Sequence, residues 1–209
     1  MFTKTSVFDI AKKQRQAAQN ILEELRLIEK WQHFGRPIIV GAMAYDLMID
    51  VDIDIEIYCP DLKIEHGFKV LSECAQNMKV KQIEYVNALE SDDKALYWQI
   101  KYQESEGITW KIDMWSAPED YNLPRSEDFI LPMQEALTEE TREAILRLKL
   151  LRNDDPSFQC LSIDLYRAVL EDNVRKIEEL KQWIKVNDIG KLTNWKPSKG
   201  KITKFEQPT

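Results

Sequence analysis

The sequence predicts an α+β protein: a mixed β-sheet domain with helices packed on it, followed by a C-terminal helical domain. Three observations carry this. Between Ile38 and Ile57 an apolar run breaks at Gly41 and gives way to strict alternation of acids and aliphatics, the period of a strand. After one helical pattern, three further strand patterns follow between Val80 and Trp115. Beyond Thr138 the apolar residues recur at helical spacing only.

Each element has its own warrant. Residues 6–31 step in threes and fours through Ile10, Ala17, Ile21, Leu25 and Ile28 and read as one helix, stopped by Gly35 and Pro37. Residues 38–40 form a short buried strand, Gly41-Ala42 opens a turn, and residues 44–47 make a brief helical turn. The strand over 51–58 ends at Cys59-Pro60-Asp61. Residues 62–78 read as a helix on Leu62, Phe68, Leu71 and Ala75, although Gly67 lies inside it. Strands follow over 80–89, 95–103 and 108–115, the last two joined by a hairpin turn at Glu104-Ser105-Glu106-Gly107. Residues 116–132 contain three prolines and no period, and read as a long irregular connection. Thr138 is a good N-cap for a helix to about Arg152, and two more helices cover 158–170 and 174–186. The expected organisation is an α/β domain over 1–117, a linker over 118–136, a helical domain over 137–189 and a flexible Lys-rich tail over 190–209.

The alternating strand is the feature that folding does not ask for. Asp50, Asp52, Asp54 and Glu56 share one face and Val51, Ile53, Ile55 and Ile57 the other. Same-face neighbours sit roughly 6.6 Å apart, where like charges repel by about 2 kcal/mol per pair at an effective dielectric near 20. Either this is an amphipathic edge strand with solvated acids, or the face gathers a hard divalent cation such as Mg²⁺.

Composition bounds the rest. With 44% hydrophobic residues and six Trp the 209 residues can bury a sizeable core. The net charge of −7 argues against a protein that grips an extended nucleic acid. Cys59, Cys74 and Cys160 are odd in number and widely spaced, so neither a disulfide framework nor a zinc site is expected. His33 and His66 are isolated. No signal peptide, membrane span, G-x-S-x-G or P-loop pattern occurs, and a cytoplasmic protein is the expectation.

The order of helix, strand, glycine turn, D-x-D strand, helix, strands with a further Asp, then helices resembles the nucleotidyltransferase superfamily, the polymerase-beta-like fold. Val40-Gly41-Ala42 supplies the apolar-Gly element, residues 43–51 the spacer, and Asp52-Ile53-Asp54-Ile55 the acid pair. Asp113 in Lys111-Ile112-Asp113-Met114 takes the third acidic position. The resemblance covers residues 38–115, roughly the first half of the chain.

It implies transfer of a nucleoside monophosphate from a nucleoside triphosphate to a hydroxyl, with two Mg²⁺ ions held by Asp52, Asp54 and Asp113. Asp113 would serve the attacking hydroxyl. Gly41 and Ala42 would offer backbone N–H groups to the triphosphate; Lys111 and Trp115 share the parity of Asp113, which opens a phosphate contact or base stacking to them. Ala42 stands where the family usually has Ser or Gly, which removes a hydroxyl contact. Asp50 and Glu56 are extra acids on the same face, and Asp50 could replace Asp54 as partner of Asp52 in a shifted register. Given the acidic charge, the expected acceptor is a small-molecule or protein hydroxyl, with no extended nucleic acid and no membrane as partner. The competing readings are a non-catalytic nucleotide-binding or regulatory scaffold and a metal-dependent phosphohydrolase.

Overall fold

The computed structural model of the chain describes residues 6–187, 189–190 and 194–197. Contacts divide it into two units, Lys12–Glu127 and a second made of Met1–Ala11 with Asp128–Thr209.

The first unit holds helices α1 (Val7–Leu25, from Lys12 onward), α2 (Leu27–Gln32), α3 (Gly41–Ala44) and α4 (Ile64–Cys74). Its strands are β1 (Arg36–Val40), β2 (Asp52–Cys59), β3 (Val80–Ala88), β4 (Ala95–Ser105) and β5 (Ile108–Pro118). They form one mixed sheet in the order β1-β2-β5-β4-β3, in which β2 and β5 are parallel and every other pair is antiparallel. A parallel pair needs a long crossover, here the stretch that includes α4, β3 and β4. The acidic strand β2 therefore lies between β1 and β5, and the edge-strand reading of its carboxylates falls.

One parity of each strand makes the core. Ile53, Ile55 and Ile57 of β2, Ile112 and Met114 of β5, and Trp98 and Ile100 of β4 pack with Leu22 and Leu25 of α1, Trp31 of α2 and Leu71 of α4. The opposite parity carries Asp52, Asp54 and Asp113 on the other face. Beyond Glu56 that face closes over a small cluster of Tyr58, Ala95 and Ala117, against which Ile38, Trp115 and Tyr121 pack.

The single helix expected over 6–31 is two. Arg26 breaks it with φ 48°, and both Leu25 and Leu27 are buried. Residues two apart on a continuous helix point about 200° apart, so one straight helix could not bury both; a left-handed residue between them re-phases the stripe. The Lys30 ammonium donates to the Leu25 carbonyl at the break, 2.8 Å.

On the same unit Glu24 accepts from Lys79 Nζ at 2.8 Å, Asn77 Nδ2 at 2.8 Å and Tyr102 Oη at 2.7 Å. Led by the Lys79 bond, these hold its carboxyl at about 2. The folded value lies below the unfolded one, so this contribution to stability is full above roughly pH 4.3 and is lost as pH falls toward the folded value. In urea unfolding the stability gap between wild type and Glu24→Gln should therefore narrow as the pH is lowered from 6 toward about 3. A gap that stays constant would show that the carboxylate charge is not what the network stabilises.

In the second unit, α6 (Glu139–Asn153) follows Thr138, which caps it by accepting from the Thr141 N–H while Thr141 Oγ1 accepts from the Thr138 N–H. Next come α7 (Ser162–Asp172) and α8 (Ile177–Val186). Ile145, Leu148, Leu165, Ala168, Leu180 and Trp183 are fully buried there. Trp183 Nε1 of α8 donates to Asp172, Lys181 of α8 to Asp155, and Arg175, between α7 and α8, to the carbonyls of Val169 and Val174.

The connection expected to be irregular departs from that reading. β5 runs on to Pro118, and a helix, α5, occupies Glu127–Ala136 with Pro132 inside it. Proline removes one helical donor, which hides such a helix from a pattern reading. Of the expected Lys-rich tail, Lys191, Lys199, Lys201 and Lys204 lie outside the described residues.

Candidate active site

The carboxylates are brought together by strand pairing. In the parallel β2–β5 register Asp54 stands beside Asp113 and Asp52 beside Lys111. In the antiparallel β4–β5 register Gln99 stands beside Asp113, Lys101 beside Lys111, and Tyr97 beside Trp115. The noncore face thus carries three successive rungs: a mixed-charge rung of Asp52, Lys111 and Lys101, an acidic rung of Asp54, Asp113 and Gln99, and a rung of Glu56, Trp115 and Tyr97.

Gly41 is what lets Asp54 occupy this place. It begins α3 with φ 62°, a conformation that favours glycine, and it packs on the carboxylate. A Cβ at Gly41 would lie 2.3 Å from Asp54 Oδ2. In Gly41→Ala the left-handed backbone costs about 1 kcal/mol and the methyl displaces the Asp54 carboxylate. A modest loss of thermal stability with a much larger loss of any activity that uses Asp54 is the expected result; equal activity in wild type and variant would show that Asp54 needs no fixed position. Ala42 is buried in the core cluster, so its methyl is a packing group.

Asp113 is held on both oxygens. Oδ1 accepts from Tyr97 Oη at 2.7 Å and from Gln99 Nε2 at 2.9 Å, and Oδ2 meets Lys111 Nζ at 2.8 Å. Its side chain is only 14% exposed. Burial works against the Lys111 charge, but the hydrogen bond to Asp113 and the fields of Asp113, Asp52 and Asp54 outweigh it and raise its pKa. The Lys111 ammonium thus pairs with Asp113 and lies in the field of Asp52 and Asp54. The Tyr97 phenol is pushed up, first by burial and then by its bond to Asp113, so it stays a donor.

The extra acid Glu56 has a different task. Its Oε1 accepts from the Ser126 N–H at 2.8 Å and its Oε2 from the Glu127 N–H at 3.0 Å and from Tyr58 Oη at 2.7 Å. It anchors the end of the segment after β5 and is not a solvated strand-end acid. Nothing local in the sequence links residue 56 to residue 126.

Carboxylate oxygens are the donor set a hard cation prefers, and Asp52 and Asp54 alternate on one strand with Asp113 next to them. Among the described residues, however, no group of three His, Cys, Asp or Glu stands in metal-holding geometry. The donor chemistry of Asp52 and Asp54 suits Mg²⁺, whereas Asp113 is engaged by Lys111, Tyr97 and Gln99.

No protein-family model and no curated protein matches the sequence. Solved structures do match the fold. A cytoplasmic RNA terminal U-transferase superposes with a TM-score of 0.54 at 13% identity, over 76% of this chain and 48% of that one. The Cid1 poly(U) polymerase with MgGTP bound gives 0.56 at 11% identity, over 76% and 50%. The same enzyme with Mg 3′-dATP bound gives 0.55 at 12%, over 76% and 49%. The chain shares the polymerase-beta-like fold of these structures. The chain spans about half the length of these structures.

These neighbours overturn one expectation. The acidic net charge argues against an extended nucleic-acid partner, yet the fold is shared with RNA terminal U-transferases. A whole-chain charge averages over the surface, and it does not register a local pair such as Lys101 and Lys111 beside the acids. Among the described residues no helix is long and apolar enough to cross a membrane.

Proposed function

We propose that this chain is a nucleotidyltransferase that moves a nucleoside monophosphate from a nucleoside triphosphate to the terminal hydroxyl of an RNA, acting in the cytoplasm. The observation that carries this is the juxtaposition of Asp52, Asp54 and Asp113 on neighbouring central strands, with Gly41 packed against Asp54. The fold and the RNA-directed neighbours support the acceptor class.

In this reading Asp52 and Asp54 hold Mg²⁺, which supplies charge neutralisation on the phosphates when bound. Asp113, oriented by Tyr97 and Gln99, faces the acceptor and takes the hydroxyl proton. The hydroxyl oxygen bonds to the α-phosphorus, the bond from that phosphorus to the bridging oxygen breaks, and pyrophosphate leaves with the electron pair. Lys111 sits where it can exchange Asp113 for a phosphate oxygen, and the backbone of Gly41 and Ala42 approaches the triphosphate.

A second reading, a non-catalytic nucleotide-binding scaffold, draws on the engagement of both Asp113 oxygens and on Ala42. One experiment separates them. The full chain is incubated with a labelled oligoribonucleotide, Mg²⁺ and each triphosphate in turn, and thermal midpoints are measured with the same ligands. Extension of the oligonucleotide supports the enzyme. A Mg²⁺-dependent midpoint shift without extension supports the scaffold, and neither result sinks both.

A further inference from the structure

The noncore face of β4 and β5 holds a rung that the reading above does not use. Tyr97 and Trp115 are cross-strand partners with ring centroids 4.8 Å apart and planes tilted by 45°. Both rings are partly exposed. Val86, the partner of Tyr97 on β3, is 43% exposed and extends this apolar surface. One rung away, on the order of 7 Å, lies Asp113, and beyond it Lys101, partly exposed, stands beside Lys111.

An aromatic pair, a carboxylate and a lysine pair in sequence along two strands match the parts of one ligand. A nucleobase presents a flat, uncharged π face, its ribose carries hydroxyls, and its backbone carries phosphates. Protein sites for single strands combine stacking aromatics with basic groups for the backbone. We propose that this face is the acceptor platform: the terminal base of a single-stranded RNA packs on Trp115 and Tyr97, its ribose hydroxyl lies at Asp113, and Lys101 meets its backbone phosphate. The proposal rests on the nucleotidyl-transfer reading above and gives that site its acceptor side. Tyr97 then has two tasks, the ring in the platform and the hydroxyl on Asp113 Oδ1. Glu56 does not repel the ligand's phosphate, because its carboxylate is turned to the Ser126 and Glu127 N–H groups.

The test uses the full chain in two measurements. Fluorescence anisotropy reads binding of a short labelled single-stranded oligoribonucleotide, and thermal shift reads binding of Mg²⁺ with a triphosphate. The variants are Trp115→Leu, which keeps apolar packing but removes the large π face, and Lys101→Glu, on a partly exposed strand position, each with its ligand-free melting midpoint checked against wild type. Each should weaken the oligonucleotide by about tenfold or more, and Lys101→Glu should also flatten the salt dependence by about one unit of slope. Lys101→Glu should keep the triphosphate shift. Variants that bind the oligonucleotide as tightly as wild type overturn the platform. So does a wild type that takes the triphosphate but no oligonucleotide, an outcome that also removes RNA as the acceptor and favours the scaffold. A wild type that responds to neither ligand removes both.

Discussion

Asp52→Asn combined with Asp54→Asn is expected to lower nucleotidyl transfer by about a thousandfold or more, the scale of the several kcal/mol that a bound cation contributes to the transition state. It should also abolish the Mg²⁺-dependent thermal shift with triphosphate. The same variant should keep its fold. Asparagine matches aspartate in size, and Ile53 and Ile55 keep their places in the core. A fall in activity with a preserved or raised melting temperature in the absence of ligand is the signature of residues kept for chemistry. Should the double variant transfer at the wild-type rate, the acid pair is not the site. Should it lose activity only because it unfolds, the carboxylates have a structural task.

The second large effect concerns stability. Gly67→Ala should destabilise the chain by about 2 kcal/mol or more, since overpacking a filled core costs 1–3 kcal/mol and outweighs the small helical gain of alanine. A Cβ at Gly67 would lie 2.2 Å from Trp98 Cζ2 and 2.4 Å from Cε2. The indole has little room to retreat. It is fully buried, donates to Ser116 Oγ at 2.9 Å, and packs on Tyr85, Phe68 and Trp31 with centroids at 4.5, 5.3 and 6.3 Å. Urea unfolding measures the loss. Trp98→Phe, with its smaller ring, should make the added methyl less costly, so the two changes together should be milder than their sum. If the pair is additive, the clash is not the cause.

Gly67 also shows the limits of reading this chain in one dimension. As a residue it weakens the case for a helix over 62–78, because glycine costs a helix about 1 kcal/mol relative to alanine. The helix forms nonetheless, at Ile64–Cys74, because Gly67 is the point at which α4 can lie against Trp98, an element thirty residues away in sequence being the reason for a local choice. Arg26 is the converse case. Residues 6–31 have an unbroken helical pattern, and the break becomes necessary only when Leu25 and Leu27 must both reach the same core.

By itself the sequence determined the two faces of β2, the glycine turn ahead of it, the existence of a second acidic strand and the helical character of the second half. These follow from periodicity and turn chemistry, which act over a few residues. Only the tertiary structure decided that β2 lies inside the sheet, that Asp54 stands beside Asp113, that Lys111 pairs with Asp113, that Tyr97 and Gln99 orient the third acid, and that Glu56 anchors Ser126 and Glu127. Each of these depends on which strands are neighbours and in which register, and register is set by hydrogen bonds between segments tens of residues apart. The same physics explains the mistaken exclusion of a nucleic-acid partner: net charge adds up over the whole chain, whereas recognition depends on the few charges that folding places side by side.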